Sequence, residues 1–456
     1  MAVWSSVKLA NLSSDFRLDA EHYQPAYLRQ ERAAAKLPRV ALQEVAHVTD
    51  GNHLSIAEEF VEAGVRYLRG QDLSDFFISD TDPIYIPERT YDALKRSHML
   101  PGDVLVGIVG TIGSIGLVTK RHGKLTGNCK LAIVRARSLP AEYLAAYLAS
   151  RVGQNEIQRC VRGAIQMGLI LPDLKNLPVV IPSDAQRDAV VSIIQDAERS
   201  RERCRALVEE AENLVTDTLG LTHLDFSENL SYERKISELV AANRFGAEYF
   251  MPCKQRVVDA LARNPGRPLG ALYRSVRELF DPAGAHRDLH VRNFDLSDAL
   301  APVLDDRKET MPAIEVGSTK KHFKAGDVVI SRLRSYLREI ALVRTSSTVP
   351  AIGSSEFIVL RPRDGDQKGK LTPEALFVYV RSLPVQTVLK WSQDGSQHPR
   401  FDERDLLAIP VPDSIVQIAP KIDVLVNEAL AARAQATRCL DEAKATIERA
   451  VLSGTA

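Results

Sequence analysis

GDVLVGIVGTIGSIGLV, running from Gly102 to Val118, is answered later in the chain by GDVVISRLRSYLREIALV, from Gly326 to Val343. The offset is 224 residues (102 to 326). Upstream, RLDAEHYQP (Arg17 to Pro25) returns as RFGAEYFMP (Arg244 to Pro252), an offset of 227 (17 to 244). Downstream, DLKNLPVVIP (Asp173 to Pro182) meets DLLAIPVP (Asp405 to Pro412), an offset of 232 (173 to 405). Three landmarks in one order at nearly one spacing mark a tandem duplication, with loop insertions absorbing the drift. A molecule written twice has two similar faces and suits a target that has two parts.

Each half reads as a mixed α/β globule followed by a long helix. Gly and Asp before a β-branched run mark a strand start, which places strands at Val104 to Val109 and at Val328 to Ile330. KLAIVRA (Lys130 to Ala136) and EFIVLRP (Glu356 to Pro362) supply a further strand each. EYLAAYLAS (Glu142 to Ser150) and EALFVYVRS (Glu374 to Ser382) carry apolar residues at helical spacing. Earlier, GVRYLRGQDLSD and LHVRNFDLSD align on a shared Asp-Leu-Ser-Asp, matching Asp72 to Asp295 and Asp75 to Asp298.

The long helices carry a heptad. With Val190 at position a, that position also holds Ala197, Cys204 and Ala211. Position d holds Ile193, Ser200, Leu207 and Leu214, and position e Ile194, Arg201, Val208 and Val215. In the second half, position a holds Ile422, Ala429, Ala436 and Ala443, d holds Leu425, Ala432 and Cys439, and e holds Val426, Arg433, Leu440 and Ile447. An unbroken stripe flanked by Glu, Arg and Gln is the pattern of a coiled coil. Two amphipathic helices each lying on its own globule give the same pattern. The shared phase favours mutual packing, antiparallel if a pseudo-two-fold axis relates the halves. The expected pairing residues are Val190, Ile193, Ala197, Leu207, Leu214, Ile422, Leu425, Ala429, Ala436 and Ala443.

The expected fold is therefore α+β. A first α/β domain spans 1–183, a central helix 184–221, a second α/β domain 222–412 and a distal helix 413–453. A helix of about 34 residues spans roughly 50 Å, and duplex DNA repeats its grooves about every 34–36 Å. Two globules on such a rod would act as a calliper on two unlike half-sites.

Composition leaves that reading open. Of 456 residues, 59 are basic and 59 acidic, which excludes a generally basic coat but not a local basic surface. The five cysteines form no CxxC pair, as expected of reduced thiols in a cytoplasmic protein. No apolar run reads as a signal peptide or a membrane span.

For reading DNA, the segment after the second Gly-Asp offers Arg332, Arg334 and Arg338, whose forks suit guanine edges or phosphates, and Tyr336. The first half has glycines at 107, 110, 113 and 116 there, with Thr111 and Ser114 able to reach phosphate or base. Before the Asp-Leu landmark stand Gln166 in one half and Gln397, His398 and Arg400 in the other, side chains of the kinds that meet base edges. A solvated strand face paired with acids, tight turns, and a loop returning to the helix are the plain alternatives for these three stretches.

Catalytic signatures are missing. The glycine spacing is GxxGxxGxxG rather than GxGxxG, no GxxxxGK(S/T) occurs, and His286 and His290 stand in no HExxH. The Asn/Asp-Pro-Pro-aromatic tetrapeptide of adenine methyltransferases does not occur. No catalytic constellation, metal or cofactor is expected.

The duplicated landmarks, the glutamines Gln186 and Gln417 near the helix starts, and the two Gly-Asp segments resemble the specificity subunit of type I restriction–modification enzymes. The resemblance covers nearly the whole chain. It implies two target-recognition domains and an antiparallel helix pair. The subunit would bind a bipartite asymmetric site in double-stranded DNA. It would recruit two DNA adenine methyltransferase subunits, which bind S-adenosylmethionine, and admit motor-nuclease subunits. The family's Glu before the Gln is replaced by Ala185 and Val416, and Pro420 falls in the opening of the second helix. These departures leave open the choice of partner, and with it a non-catalytic scaffold of a related defence system without DNA readout.

Overall fold

A computed structural model describes residues 4–9, 12, 17–73, 76–163, 167–284, 286–363 and 370–453. It divides into two compact units, one of residues 1–201 with 434–456, the other of residues 202–433. Compactness thus cuts the chain differently from the duplication, because each long helix contributes a half to each unit.

In the first unit the main sheet contains β1 (Ala46–Asp50), β2 (Phe76–Phe77), β3 (Asp103–Gly107), β4 (Ile115–Leu117) and β5 (Leu131–Ala136), in the order β1-β5-β3-β4-β2. In the second unit β6 (Tyr273–Val276), β7 (Val303–Asp305), β8 (Val328–Ser331), β9 (Ile340–Arg344) and β10 (Phe357–Pro362) follow the order β6-β10-β8-β9-β7. The two orders are the same, and the edge pairs β2–β4 and β7–β9 are both parallel while the rest are antiparallel. The central strands β3 and β8 read Val-Leu-Val and Val-Val-Ile and are buried throughout, as strands covered on both faces must be.

A second small sheet stands beside each main sheet. Val65–Leu68 runs parallel to Leu125–Gly127 in the first unit, and His290–Phe294 parallel to Ala351–Gly353 in the second. Here the structure corrects the alignment on Asp-Leu-Ser-Asp. Leu68 faces Gly127 and Phe294 faces Gly353, so Leu68 matches Phe294 and Asp72 matches Asp298 rather than Asp295. The physical reason is a 3-10 turn at the strand end. The Asp72 carboxylate accepts from the Arg69 N–H at 2.6 Å, and that of Asp298 from the Asp295 N–H at 2.8 Å. The likeness of letters three residues away was coincidental.

The Gly-Asp dipeptides have one cause. Gly102 and Gly326 adopt φ of 90° and 86°, a region closed to most side chains. The following aspartates turn inward. Asp103 accepts from Arg135 at 2.8 and 2.7 Å and from the Leu100 N–H at 2.8 Å. Asp327 accepts from Arg361 at 2.7 and 2.7 Å and from the Lys324 N–H at 2.8 Å. Each carboxylate is buried, and each guanidinium caps it from the neighbouring strand.

The long helices are α1 (Asp184–Thr218) and α2 (Asp413–Ser453). In the first unit Val190, Ile194 and Ala197 of α1 share a core with Cys439, Leu440, Ala443, Ile447 and Val451 of α2. In the second, Ala211 and Val215 of α1 share a core with Ile415, Ala419, Ile422 and Val426 of α2. The beginning of α1 meets the end of α2 and the reverse, which is an antiparallel pairing. The seam differs from the expected one. Most of the buried residues stand at a and e, joined by Leu207, Ala432 and Cys439 at d, while Ile193, Leu214 and Leu425 at d are half-exposed and pack at its margin. Leu207, Ala429 and Ala436 are buried. Because e lies four residues after a and three before the next a, the a and e rows are a 4–3 seam read one phase over.

Pro420 sits at the eighth residue of α2, deeper than an opening turn, and is exposed. It leaves the Val416 carbonyl without the usual i+4 donor. Among the described residues no helix is long and apolar enough to cross a membrane, and no group of His, Cys, Asp and Glu could hold a metal ion.

Candidate nucleic-acid interface

In both units the loop after the Gly-Asp strand is stitched to the loop before the Asp-Leu landmark. In the first unit Val109 bridges Gly168, and the Leu169 N–H donates to the Ile108 carbonyl at 2.9 Å. In the second, Leu333 bridges Arg400, and the Phe401 N–H donates to the Arg332 carbonyl at 3.1 Å. The candidate segments, some 50 residues or more apart in sequence, thus form one surface in each unit.

The backbone of the first loop is also shared. Gly110 and Gly113 have φ of 80° and 84°; their counterparts Arg334 and Arg338 have φ of 49° and 51°. A non-glycine residue in the left-handed region costs about 1–2 kcal/mol. The second unit therefore carries arginine in a conformation that the first unit fills with glycine. Such local strain is characteristic of functional loops.

Side chains then differentiate the loops. Arg334 donates to His398 Nδ1 at 3.1 Å, and its N–H to the Pro399 carbonyl at 2.9 Å. Tyr336 is exposed. Arg338 points elsewhere, pairing with Glu212 of α1 at 3.6 Å, and burial lowers its pKa. Arg381 holds the same carboxylate at 3.1 Å. Gln397 and His398 are exposed on the second loop. Arg332 and Arg400 converge on Glu356, at 2.8 Å for the closest approach of each.

In the first unit Ser114 Oγ donates to the Thr111 carbonyl at 2.8 Å, so the hydroxyl closes the turn. Added Cβ atoms at Gly107 and Gly113 would meet Thr111 O at 2.2 Å and Gln154 Oε1 at 2.7 Å. Close packing thus accounts for Gly107 and Gly113, and the left-handed backbone for Gly110. Gln166 lies outside the described residues.

A cleft of about 980 Å³ adjoins the second unit's loops, bordered by Arg244, Arg277, Arg332, Arg400 and Arg404 and by Asp394, Asp402, Glu403 and Asp405. Most of these charges are paired, Arg277 with Glu403 at 3.1 Å and Arg404 with Asp402 at 3.0 Å. Sequence reading missed Arg244, Arg277 and Arg404. The recurrence of Arg17 as Arg244 was the available signal for one of them. A neighbouring cavity of about 700 Å³ holds Lys254, whose ammonium lies 3.3 Å from the Tyr249 ring centre. Burial pushes the Lys254 pKa down to about 8.

No protein-family model and no curated protein matches the chain. Solved structures similar to it include the type I restriction–modification system S subunit from M. genitalium, at 12% identity and a TM-score of 0.41, covering 90% of this chain and 95% of that one. The HsdS subunit from Thermoanaerobacter tengcongensis is similar at 16% identity and a TM-score of 0.30, over 92% and 97% of the two chains. A structure described as the basis of complex assembly and conformational transition of the type I R-M system matches at 16% identity and a TM-score of 0.30, over 91% and 98%. All three TM-scores lie below 0.5, so the functional reading stands on this chain's own residues.

Proposed function

We propose that the chain is a non-catalytic DNA-specificity subunit of the type I restriction–modification kind. One observation carries the reading. Two units of the same strand order each bring the same pair of loops together, on a shared backbone bearing unlike side chains. That is what a reader of two unlike half-sites requires: a common frame and separate reading chemistry. The first unit offers Thr111, Ser114 and Gln166, and the second Arg332, Arg334, Tyr336, Gln397 and His398, with Arg400 held on Glu356 beside them. Arg338, turned toward α1, supports its loop from behind.

The chain would bind double-stranded DNA at a bipartite asymmetric site and recruit two adenine methyltransferase subunits carrying S-adenosylmethionine, with motor-nuclease subunits for restriction in antiphage defence. Its paired helices would set the gap between half-sites. The test is to map methylated adenines in a host with and without the gene. A bipartite motif that vanishes with the gene supports the proposal. An unchanged methylome, together with a purified assembly that does not distinguish one duplex from another, would favour the scaffold reading. R332A and R334A should alter the second half-site alone, by about 1–3 kcal/mol for each lost bidentate contact.

A further inference from the structure

We infer that Glu356 is a positioning residue that sets Arg332 to read a guanine end-on in the second half-site. This rests on the DNA-reading function proposed above. Arg332 donates through Nε to Glu356 Oε2 at 2.8 Å. Its terminal nitrogens have no hydrogen bond among the described residues, and the side chain is half-exposed. Guanine O6 and N7 accept two parallel N–H groups from such a fork.

Arg400 plays the other part. Its Nη2 reaches Glu356 Oε1 at 2.8 Å, its Nε lies 3.1 Å from both carboxylate oxygens, and its Nη1 donates to the His398 carbonyl at 3.0 Å. All three nitrogens are engaged, so Arg400 is the anchor. Two guanidiniums against one carboxylate leave a single positive charge, and the open end of the cluster belongs to Arg332. The backbone fixes the base of the side chain as well. The Arg332 N–H donates to the Glu356 carbonyl at 3.1 Å, and the Arg332 carbonyl accepts from Phe401.

Arg400 foremost, and Arg332 after it, hold the Glu356 carboxyl down to about pKa 2, so the carboxylate that both arginines share stays ionised near neutral pH. The first unit has the same frame without the device. Ile108 and Lys130 make the equivalent backbone bond at 2.9 Å, with a lysine where the second unit has the glutamate. The two half-sites are therefore read by different chemistry at corresponding places.

The test uses the affinity-tagged full chain recovered from its own host with whatever copurifies, and duplexes enriched from a random pool. Replacing one guanine of the second half-site by 7-deazaguanine, which removes the N7 acceptor, should weaken binding roughly 5- to 150-fold. R332A should show that loss on the ordinary duplex and no further loss on the modified one. R332K keeps the charge but not the fork, and should lose the guanine preference while holding the phosphate contribution. E356Q should lose discrimination at that base by about 10-fold, with the first half-site unchanged and partial recovery in E356D. E356Q and R332K that discriminate like the parent, or that weaken both half-sites equally, overturn the inference. A parent assembly that enriches no bipartite sequence overturns the DNA reading first, and this inference with it.

Discussion

Asp327→Asn should be among the most damaging single-atom changes in the second unit, and the duplication supplies its own control. Asp327 is 1% exposed and accepts three hydrogen bonds, two from Arg361 and one from a main-chain N–H. Asparagine keeps the shape but removes the charge and turns a donor toward a guanidinium that is itself only 17% exposed. Breaking a buried pair from one side costs about 3–5 kcal/mol. For a unit of this size each kcal/mol lowers Tm by about 2–4 °C, which predicts a fall of about 6–20 °C. Asp103→Asn breaks the equivalent pair, but Arg135 is 41% exposed and water can reach it. Its cost should be smaller, about 1.5–3 kcal/mol. Scanning calorimetry of the full chain, with the two units' transitions resolved, gives both numbers, and the cycle with R361Q isolates the pair. A fall below 1 kcal/mol for D327N, or a larger one for D103N, would refute the claim that burial decides the worth of these pairs.

The other expectations concern the helices, the loop and the cavity. Ile422→Ala should cost about 2–5 kcal/mol and Leu425→Ala distinctly less in urea unfolding; the reverse order would restore the seam to position d. Pro420→Ala should stabilise by about 1–3 kcal/mol, since it returns a donor to the Val416 carbonyl, and a neutral result would show that carbonyl already satisfied by water. Arg334→Gly should raise stability by about 1 kcal/mol while weakening the second half-site, a split that simple misfolding cannot produce. Lys254 has its folded pKa depressed to about 8, so between pH 8 and about 10.5 the unfolded chain holds more protons and stability rises with pH. Urea titrations at several pH values should show a rise approaching about 2–3 kcal/mol, and K254M should abolish it.

Much of the frame was legible because it depends on backbone chemistry. Gly-Asp marks a turn that only a left-handed glycine and an inward carboxylate can make, so it survives in both halves and is easy to see. The alternation of helices and strands followed from the same residues. The register of Asp72 against Asp298 was not legible, since a 3-10 turn needs one carboxylate at one place, whatever letters surround it. The heptad gave the two helices but not their seam. Periodicity alone cannot say which of two adjacent rows faces a partner. At the loops, residue type suggested arginines for reading, but whether an arginine faces outward or toward Glu212 or Glu356 depends on acids far away in sequence. Arg332, Arg338 and Arg400 are cases where that tertiary pairing decides the role.

The first unit is finished by the last turns of α2, because Cys439, Leu440, Ala443, Ile447 and Val451 belong to its core. During synthesis at about 5–20 residues per second, some 10–50 s separate the emergence of Ala197 from that of Cys439. Over that interval the apolar stripe of the nascent α1 packs on its own globule without its α2 partner. The second unit's core draws on the earlier residues Ile415 to Val426 of α2, so synthesis halted between Val426 and Cys439 would leave the unit encoded first as the incomplete one.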